Sequence, residues 1–136
     1  MVLNKGQARI DEAGEAFTPD HIIDKMLGML TPEAWQENKT FLDPACGNGH
    51  MLVRFLQCKI LKDHNPIKAL STVYGADIKY DNVVEARLRL LSIVNPLIRP
   101  EQYELTGKIV THNVFLVEDS LTFDWDNYKP FVWENS

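Results

Sequence analysis

With 136 residues and 45% apolar content, the chain has the size of one domain and enough apolar surface for a real core, which excludes a disordered protein. No run approaches the roughly 20 apolar residues of a membrane span, and the start Met1-Val2-Leu3-Asn4-Lys5-Gly6 shows no apolar leader core. The 14 Lys and Arg stand against 19 Asp and Glu, for a net charge of −5 with no basic run, which argues against a chain that grips DNA unaided.

Residues 1–13 are polar and weakly patterned and read as a flexible arm; residues 14–136 read as one domain. In Gly14-Glu15-Ala16-Phe17-Thr18-Pro19, Thr18 has the character of an N-cap and Pro19 that of a first helical residue. Ile22, Ile23, Met26, Leu27 and Leu30 then form one apolar stripe. Thr31-Pro32-Glu33 repeats the start, predicting a short helix to about Glu37, and Asn38-Lys39-Thr40 turns into a strand. Phe41 and Leu42 read as the end of that buried strand, which Pro44, Gly47 and Gly49 cannot continue. From His50 a helix follows to about Lys62, with Met51, Leu52, Phe55 and Leu56 at helical spacing. Asn65-Pro66 opens a short helix through Leu70, and Ser71–Ile78 is a second buried strand. Asp81 caps a helix to Val94 with Val84, Leu88 and Leu91 on its apolar side and Arg87 and Arg89 elsewhere. Residues 97–108 read as a connection, and Ile109–Val117 is β-rich with a third strand over Val114–Val117.

The chemistry gathers at the strand ends. A strand, a glycine turn and a helix present backbone N–H groups at a helix N-terminus, with Asp43 at the strand's carboxyl end, where open α/β sheets bind ligands. A dinucleotide fingerprint fails, because the third glycine it needs would fall at position 52, which is Leu. An ordinary βα turn remains the plainer alternative. Asp77 closes the second strand, where two carboxylate oxygens can bind ribose hydroxyls, and Ile78 can pack on an adenine face. The plainer reading of Asp77 is a helix cap. Cys46 and Cys58 suggest no disulfide framework, which makes a reducing cytoplasm the default, and the four histidines lack metal-ligand spacing.

Asp43-Pro44-Ala45-Cys46-Gly47-Asn48-Gly49 resembles the S-adenosylmethionine (SAM) loop of DNA adenine-N6 methyltransferases at every position. Upstream, Gly14 to Pro19 resembles the Gly-x-x-Phe/Tyr-Thr-Pro element that packs over the methionine end of SAM in that family. Tyr74-Gly75-Ala76-Asp77-Ile78 resembles its second SAM motif, and the stretch after the third strand its third motif, with Asp119 as the acid that receives the adenine amino group. The resemblance covers residues 14–123. It implies a Rossmann-like SAM-dependent methyltransferase fold, here a partial parallel sheet with N-terminal helices. It also implies SAM as cofactor, held by Thr18, Asp43, Ala45, Gly47, Asp77, Ile78 and Asp119, and no metal. The setting it implies is the cytoplasm of a bacterium or a phage-infected cell.

The catalytic Asn/Asp-Pro-Pro-Tyr/Phe motif of that family has no counterpart. Its side chain and a proline carbonyl accept the N–H bonds of a flipped adenine while an aromatic ring stacks on the base. Asn127-Tyr128-Lys129-Pro130-Phe131 lacks the adjacent prolines, and Phe131-Val132-Trp133 is at most the stub of a fourth strand, with Asn135 near the motif's place. The catalytic residues are therefore unassigned, and the domain reads as truncated relative to the family. The family's fourth strand pairs with the first, so Phe41–Asp43 is expected to have a bare edge. That edge would take the tail or another chain, as a homodimer or a hetero-complex. Three readings stand. The chain is a DNA adenine methyltransferase completed by a partner chain or missing domain, which would also bring the DNA. Or it is a catalytically silent SAM-binding module linked to restriction–modification. Or it is an interaction protein that no longer binds SAM.

Overall fold

The computed structural model describes residues 19–62, 64–119 and 121–128. Residues 1–13, expected as an arm, and Thr18, Phe131–Trp133 and Asn135 all lie outside them, as does the side chain of Asn127. Three strands, β1 (Phe41–Asp43), β2 (Val73–Asp77) and β3 (Val114–Leu116), form a parallel sheet in the order β1-β2-β3. Phe41 pairs with Val73 and Asp43 with Gly75; Gly75 in turn pairs with Val114 and Asp77 with Leu116. The helices are α1 (Asp20–Gly28), α2 (His50–Leu61), α3 (Pro66–Ser71), α4 (Tyr80–Val94) and α5 (Tyr103–Asn113).

Both crossovers step the same way across the sheet, so the connecting helices gather on one face. Phe41, Val73 and Val114 point into that face, and Phe55 of α2 stacks on Phe41 at 4.3 Å and on Trp35 at 4.9 Å. Leu52, Leu56, Val83, Ala86, Leu90, Val94 and Ile109 complete the core. On the other face Leu42, Tyr74 and Phe115 alternate with the core positions. There the segment after β3 folds back: Tyr128 stacks on Phe115 at 4.9 Å and meets Tyr74 edge-on at 6.1 Å, while its hydroxyl donates to the His112 carbonyl at 3.1 Å.

Several boundaries move from their sequence expectations, each for a physical reason. Pro19 is extended (ψ 151°), so α1 begins one residue later, and of its stripe Ile23 and Leu27 are buried while Ile22 and Met26 are exposed. The turn Pro32–Trp35 is a single 3₁₀ turn rather than a helix to Glu37. The short helix opening at Asn65-Pro66 forms as expected, and Asn65 caps it, its Oδ1 accepting from the N–H groups of Ile67 and Lys68. The buried stripe of α4 is Val83, Ala86, Leu90 and Val94, and Leu88 is 61% exposed. Asp81 does not cap α4; Lys79 holds the cap position and donates its N–H to Asp77. Residues expected as a connection and β-rich run instead form α5. Thr106, Ile109, Val110 and Asn113 are buried at helical spacing, so packing against α3 and α4 overrides the β-branched propensity. Leu42, expected to be buried, is 43% exposed, because β1 is an edge strand with no partner on its outer side among the described residues.

One buried cation knits the ends of these elements. Lys59 of α2 is fully buried, and its Nζ donates to the carbonyls of Glu37 (3.2 Å) and Lys39 (2.7 Å) and to Thr72 Oγ1 (2.8 Å). It thereby ties the entry to β1 to the entry to β2. Burial pushes its ammonium from the ordinary 10.5 down to about 8, against a weaker upward pull from Glu37. Between those two values the unfolded chain binds the extra proton. The desolvation penalty is therefore complete below about pH 8 and is relieved as pH rises toward 10.5. Urea unfolding should show wild-type stability rising between pH 8 and 10 relative to Lys59→Met, with a difference in slope of at most about 1.4 kcal/mol per pH unit. Parallel slopes would rule out this titration.

Candidate cofactor site

The turn after β1 is held by its own backbone and by β2. Asp43 Oδ1 accepts the Ala45 N–H at 3.1 Å, and the Gly49 N–H reaches the Cys46 carbonyl at 2.9 Å. The Cys46 N–H donates to the Ala76 carbonyl at 2.8 Å, which extends the sheet ladder into the turn. Gly47 (φ 55°) and Gly49 (φ 86°) are left-handed, a region that favours glycine. Gly49 is required twice over, since a Cβ there would lie 2.7 Å from Ala86 Cβ and 2.9 Å from Ala86 Cα. Gly75 does the same work on β2, where a Cβ would meet Leu52 Cδ1 at 2.5 Å and Cys46 at 3.1 Å. The bare backbone lets α2, α4 and the turn close on one another.

Asp77 is the hub. Its Oδ2 accepts the Gly47 N–H at 2.9 Å, and its Oδ1 accepts the Lys79 N–H at 2.9 Å and Asn82 Nδ2 at 3.3 Å. It therefore ties the glycine turn to the residues that lead into α4, all with one carboxylate. Burial first, and then the charge of Asp77, raise the Asp43 carboxyl, while the Ala45 N–H pulls it back. Cys46 is buried, and desolvation together with Asp43 and Asp77 holds its thiol far above the ordinary range. It is a packing residue, not a nucleophile. The Asn48 Oδ1 is buried without a hydrogen-bond partner among the described residues.

The structure thus brings Asp43, Ala45, Gly47 and Asp77 together at the carboxyl ends of β1 and β2. Ile78 follows directly and is 58% exposed, open to a flat apolar ligand. The Val117 N–H donates to the Asp77 carbonyl at 3.0 Å, so the end of β3 is tied to the same rim. Asp119 is exposed just beyond, its Oδ1 accepting the Leu121 N–H at 2.9 Å in a local turn. Thr18 is outside the described residues. Sequence reasoning missed Asn82, Ala86 and Asn48. The only signal for Ala86 was a small residue facing a glycine turn, which needs the fold to be seen.

An α/β domain of three parallel strands and helices, with a glycine turn at the carboxyl end of the first strand, is compatible with a Rossmann-like fold. The chain belongs to the N-6 DNA methylase family, whose model matches residues 2–121. That membership supports a role in DNA methylation by methyl transfer. No curated protein and no solved structure matches the chain at a significant level.

Gly49→Ala tests the cradle. A left-handed alanine costs about 1–2 kcal/mol and the collision with α4 about 1–3 kcal/mol more. Thermal or urea unfolding should show a loss in the summed range, and an unchanged melting temperature would contradict the packing described for Ala86.

Proposed function

We propose that this chain is the cofactor-binding part of a DNA adenine-N6 methyltransferase that uses SAM. The observation that carries the reading is the glycine turn Asp43–Gly49, held open toward the strand ends by the bond from Gly47 N–H to Asp77. The fit to SAM is chemical. The turn offers no Cβ where glycines stand, Asn48 Oδ1 is an acceptor in want of a donor such as an ammonium, and Ile78 offers an apolar face. When bound, SAM supplies a methyl group on a positively charged sulfur.

The chain's own residues orient and select. Asp43, Ala45 and Gly47 line the turn, and the resemblance adds Thr18, which lies outside the described residues. A carboxylate has about four acceptor positions, and Asp77 already uses three on Gly47, Lys79 and Asn82. One remains on Oδ2, so Asp77 takes one ribose hydroxyl rather than two. Ile78 packs on the adenine and Asp119 receives its amino group. The two acids, Asp43 and Asp77, favour a cationic ligand at this rim. The residues that would hold the target adenine have no place in the sequence motif pattern, and the surface is acidic. Base and DNA binding are therefore assigned to a further segment or partner chain, and the open edge of β1 is where a hetero-complex would form. The absent Asn/Asp-Pro-Pro-Tyr/Phe motif favours a second reading, a catalytically silent SAM-binding module of a restriction–modification system in a bacterial or phage-infected cytoplasm. Among the described residues no helix is long and apolar enough to cross a membrane.

Calorimetry with S-adenosylhomocysteine should show one site per chain, and no heat and no thermal shift would sink the reading. Asp43→Asn gives a two-sided check. Its carboxyl is raised by burial, so the penalty of the charged form is complete above its folded-state value and vanishes below its unfolded value of 3.8. The variant should melt higher than wild type at pH 7, with the gain shrinking toward pH 4. It should also lose at least about tenfold in affinity, the effect of one charge-assisted bond.

With tritiated SAM and adenine-rich DNA the isolated chain should transfer no methyl. Incorporation would overturn the assignment of catalysis to another segment and turn attention to Asn127 or Asn135.

A further inference from the structure

Helices α1 and α2 are joined where Asp24 takes three hydrogen bonds from Arg54: Nε to Oδ1 at 3.0 Å, Nη2 to Oδ1 at 2.7 Å and Nη2 to Oδ2 at 2.8 Å. Beside that pair lies an open groove of about 440 Å³, a volume in the range of small-molecule sites. Leu27 and Gly28 line it from α1, Arg54 and Cys58 from α2, and Trp35 and Lys62 complete it. No residue of the glycine turn contributes to the lining.

The groove combines an aromatic wall with cationic donors. Trp35 stacks on Phe55 at 4.9 Å, and the Lys62 ammonium lies over its ring at 5.4 Å from the centroid. That contact holds the ammonium at the groove, where it has no carboxylate partner among the described residues. Arg54 spends Nε and Nη2 on Asp24, which leaves the two N–H donors of Nη1 without an acceptor among the described residues. Asp24 is the acid in the lining, and it is already committed to Arg54. Two cations against one paired acid make a locally positive concavity on a chain whose net charge is −5. Leu27 adds an apolar side chain, and at Gly28 a Cβ would meet nothing within 4 Å, so α1 leaves room there.

We propose that this groove is a second binding site, which takes a small aromatic carboxylate: its ring lies against Leu27 and Trp35, and its carboxylate accepts from Arg54 Nη1 and Lys62 Nζ. Anionic acceptors make the stronger hydrogen bonds with such donors, and a cation would face two like charges. A neutral ring of the same shape would use the apolar wall and leave both cations to water. The site shares no residue with the cofactor site and does not rest on the SAM reading. Cys58 takes no part in the recognition; a ligand in the groove covers its half-buried thiol, which makes it a reporter.

The probe is naphthoate, with naphthalenemethanol as the neutral ligand of the same body. Titrated into the full chain, naphthoate should shift the Trp35 indole N–H resonance saturably, with a Kd of about 1 mM, the range open to so small a ligand. It should slow the reaction of Cys58 with neutral dithiodipyridine with the same Kd. The alcohol should bind about 2- to 5-fold more weakly, the margin that exposed charge contacts support. Lys62→Gln should reduce that margin. Gly28→Leu should fill the groove and abolish both signals, with the melting temperature kept or raised because a helical glycine is replaced. No saturable shift with naphthoate, equal binding of acid and alcohol, or full binding to a folded Gly28→Leu chain would each overturn the proposal.

Discussion

The bond from the Gly47 N–H to Asp77 Oδ2 is the contact on which the rest depends. It is a charge-assisted, partly buried bond across 30 residues of sequence. Through it the end of β2 fixes the conformation of the turn after β1, and the other oxygen of the same carboxylate holds Lys79 N–H and Asn82 at the entry to α4. Remove it and two things loosen together: the left-handed turn and the alignment of the two strand ends. The turn is thereby held by its own backbone and by β2 together.

Much of this was legible in the letters. The order strand, glycine turn, helix, strand, helix, strand followed from Pro and Gly punctuation and from apolar spacing. Asp43, Gly47 and Asp77 were marked by their places at strand ends. What was not legible shares one cause, the dominance of tertiary contacts over local preference. Thr106, Ile109 and Val110 carry β-leaning side chains, yet they bury a helical face because α3 and α4 wait there. Leu88 was read as core because spacing alone cannot tell which of two adjacent stripes meets the sheet; Val83 and Leu90 do. Lys59 gave no sign that three oxygen atoms would surround it, since those oxygens come from two carbonyls and a threonine far along the chain. The edge position of β1 among the described residues, by contrast, agrees with the expectation drawn from the missing motif.

The two faces of the sheet are built on different logic. The helix-covered face is aliphatic with one aromatic stack, and it closes by bringing backbones together at Gly49 and Gly75. The opposite face is covered by an irregular segment whose hold comes from rings: Phe115 contacts Phe123 at 5.5 Å and Tyr128 at 4.9 Å, and Phe123 contacts Trp125 at 4.5 Å. Aromatic rings cover much area with few residues and tolerate imprecise backbone paths. That suits an irregular segment folding back over β3 and β2.

Cys46 has a further meaning for how the domain can be observed. Its thiol is sealed beneath the turn by the closeness of Gly75, with Asp43 and Asp77 opposing formation of a thiolate. Cys58 is only half-buried and lines a groove with Arg54. A disulfide reagent therefore meets two clocks in one molecule: one thiol near the solvent, and one that reacts only in the brief intervals when the turn lifts off β2. The rate of the slow clock reports the free energy of that lifting directly, with no label beyond what the sequence already carries.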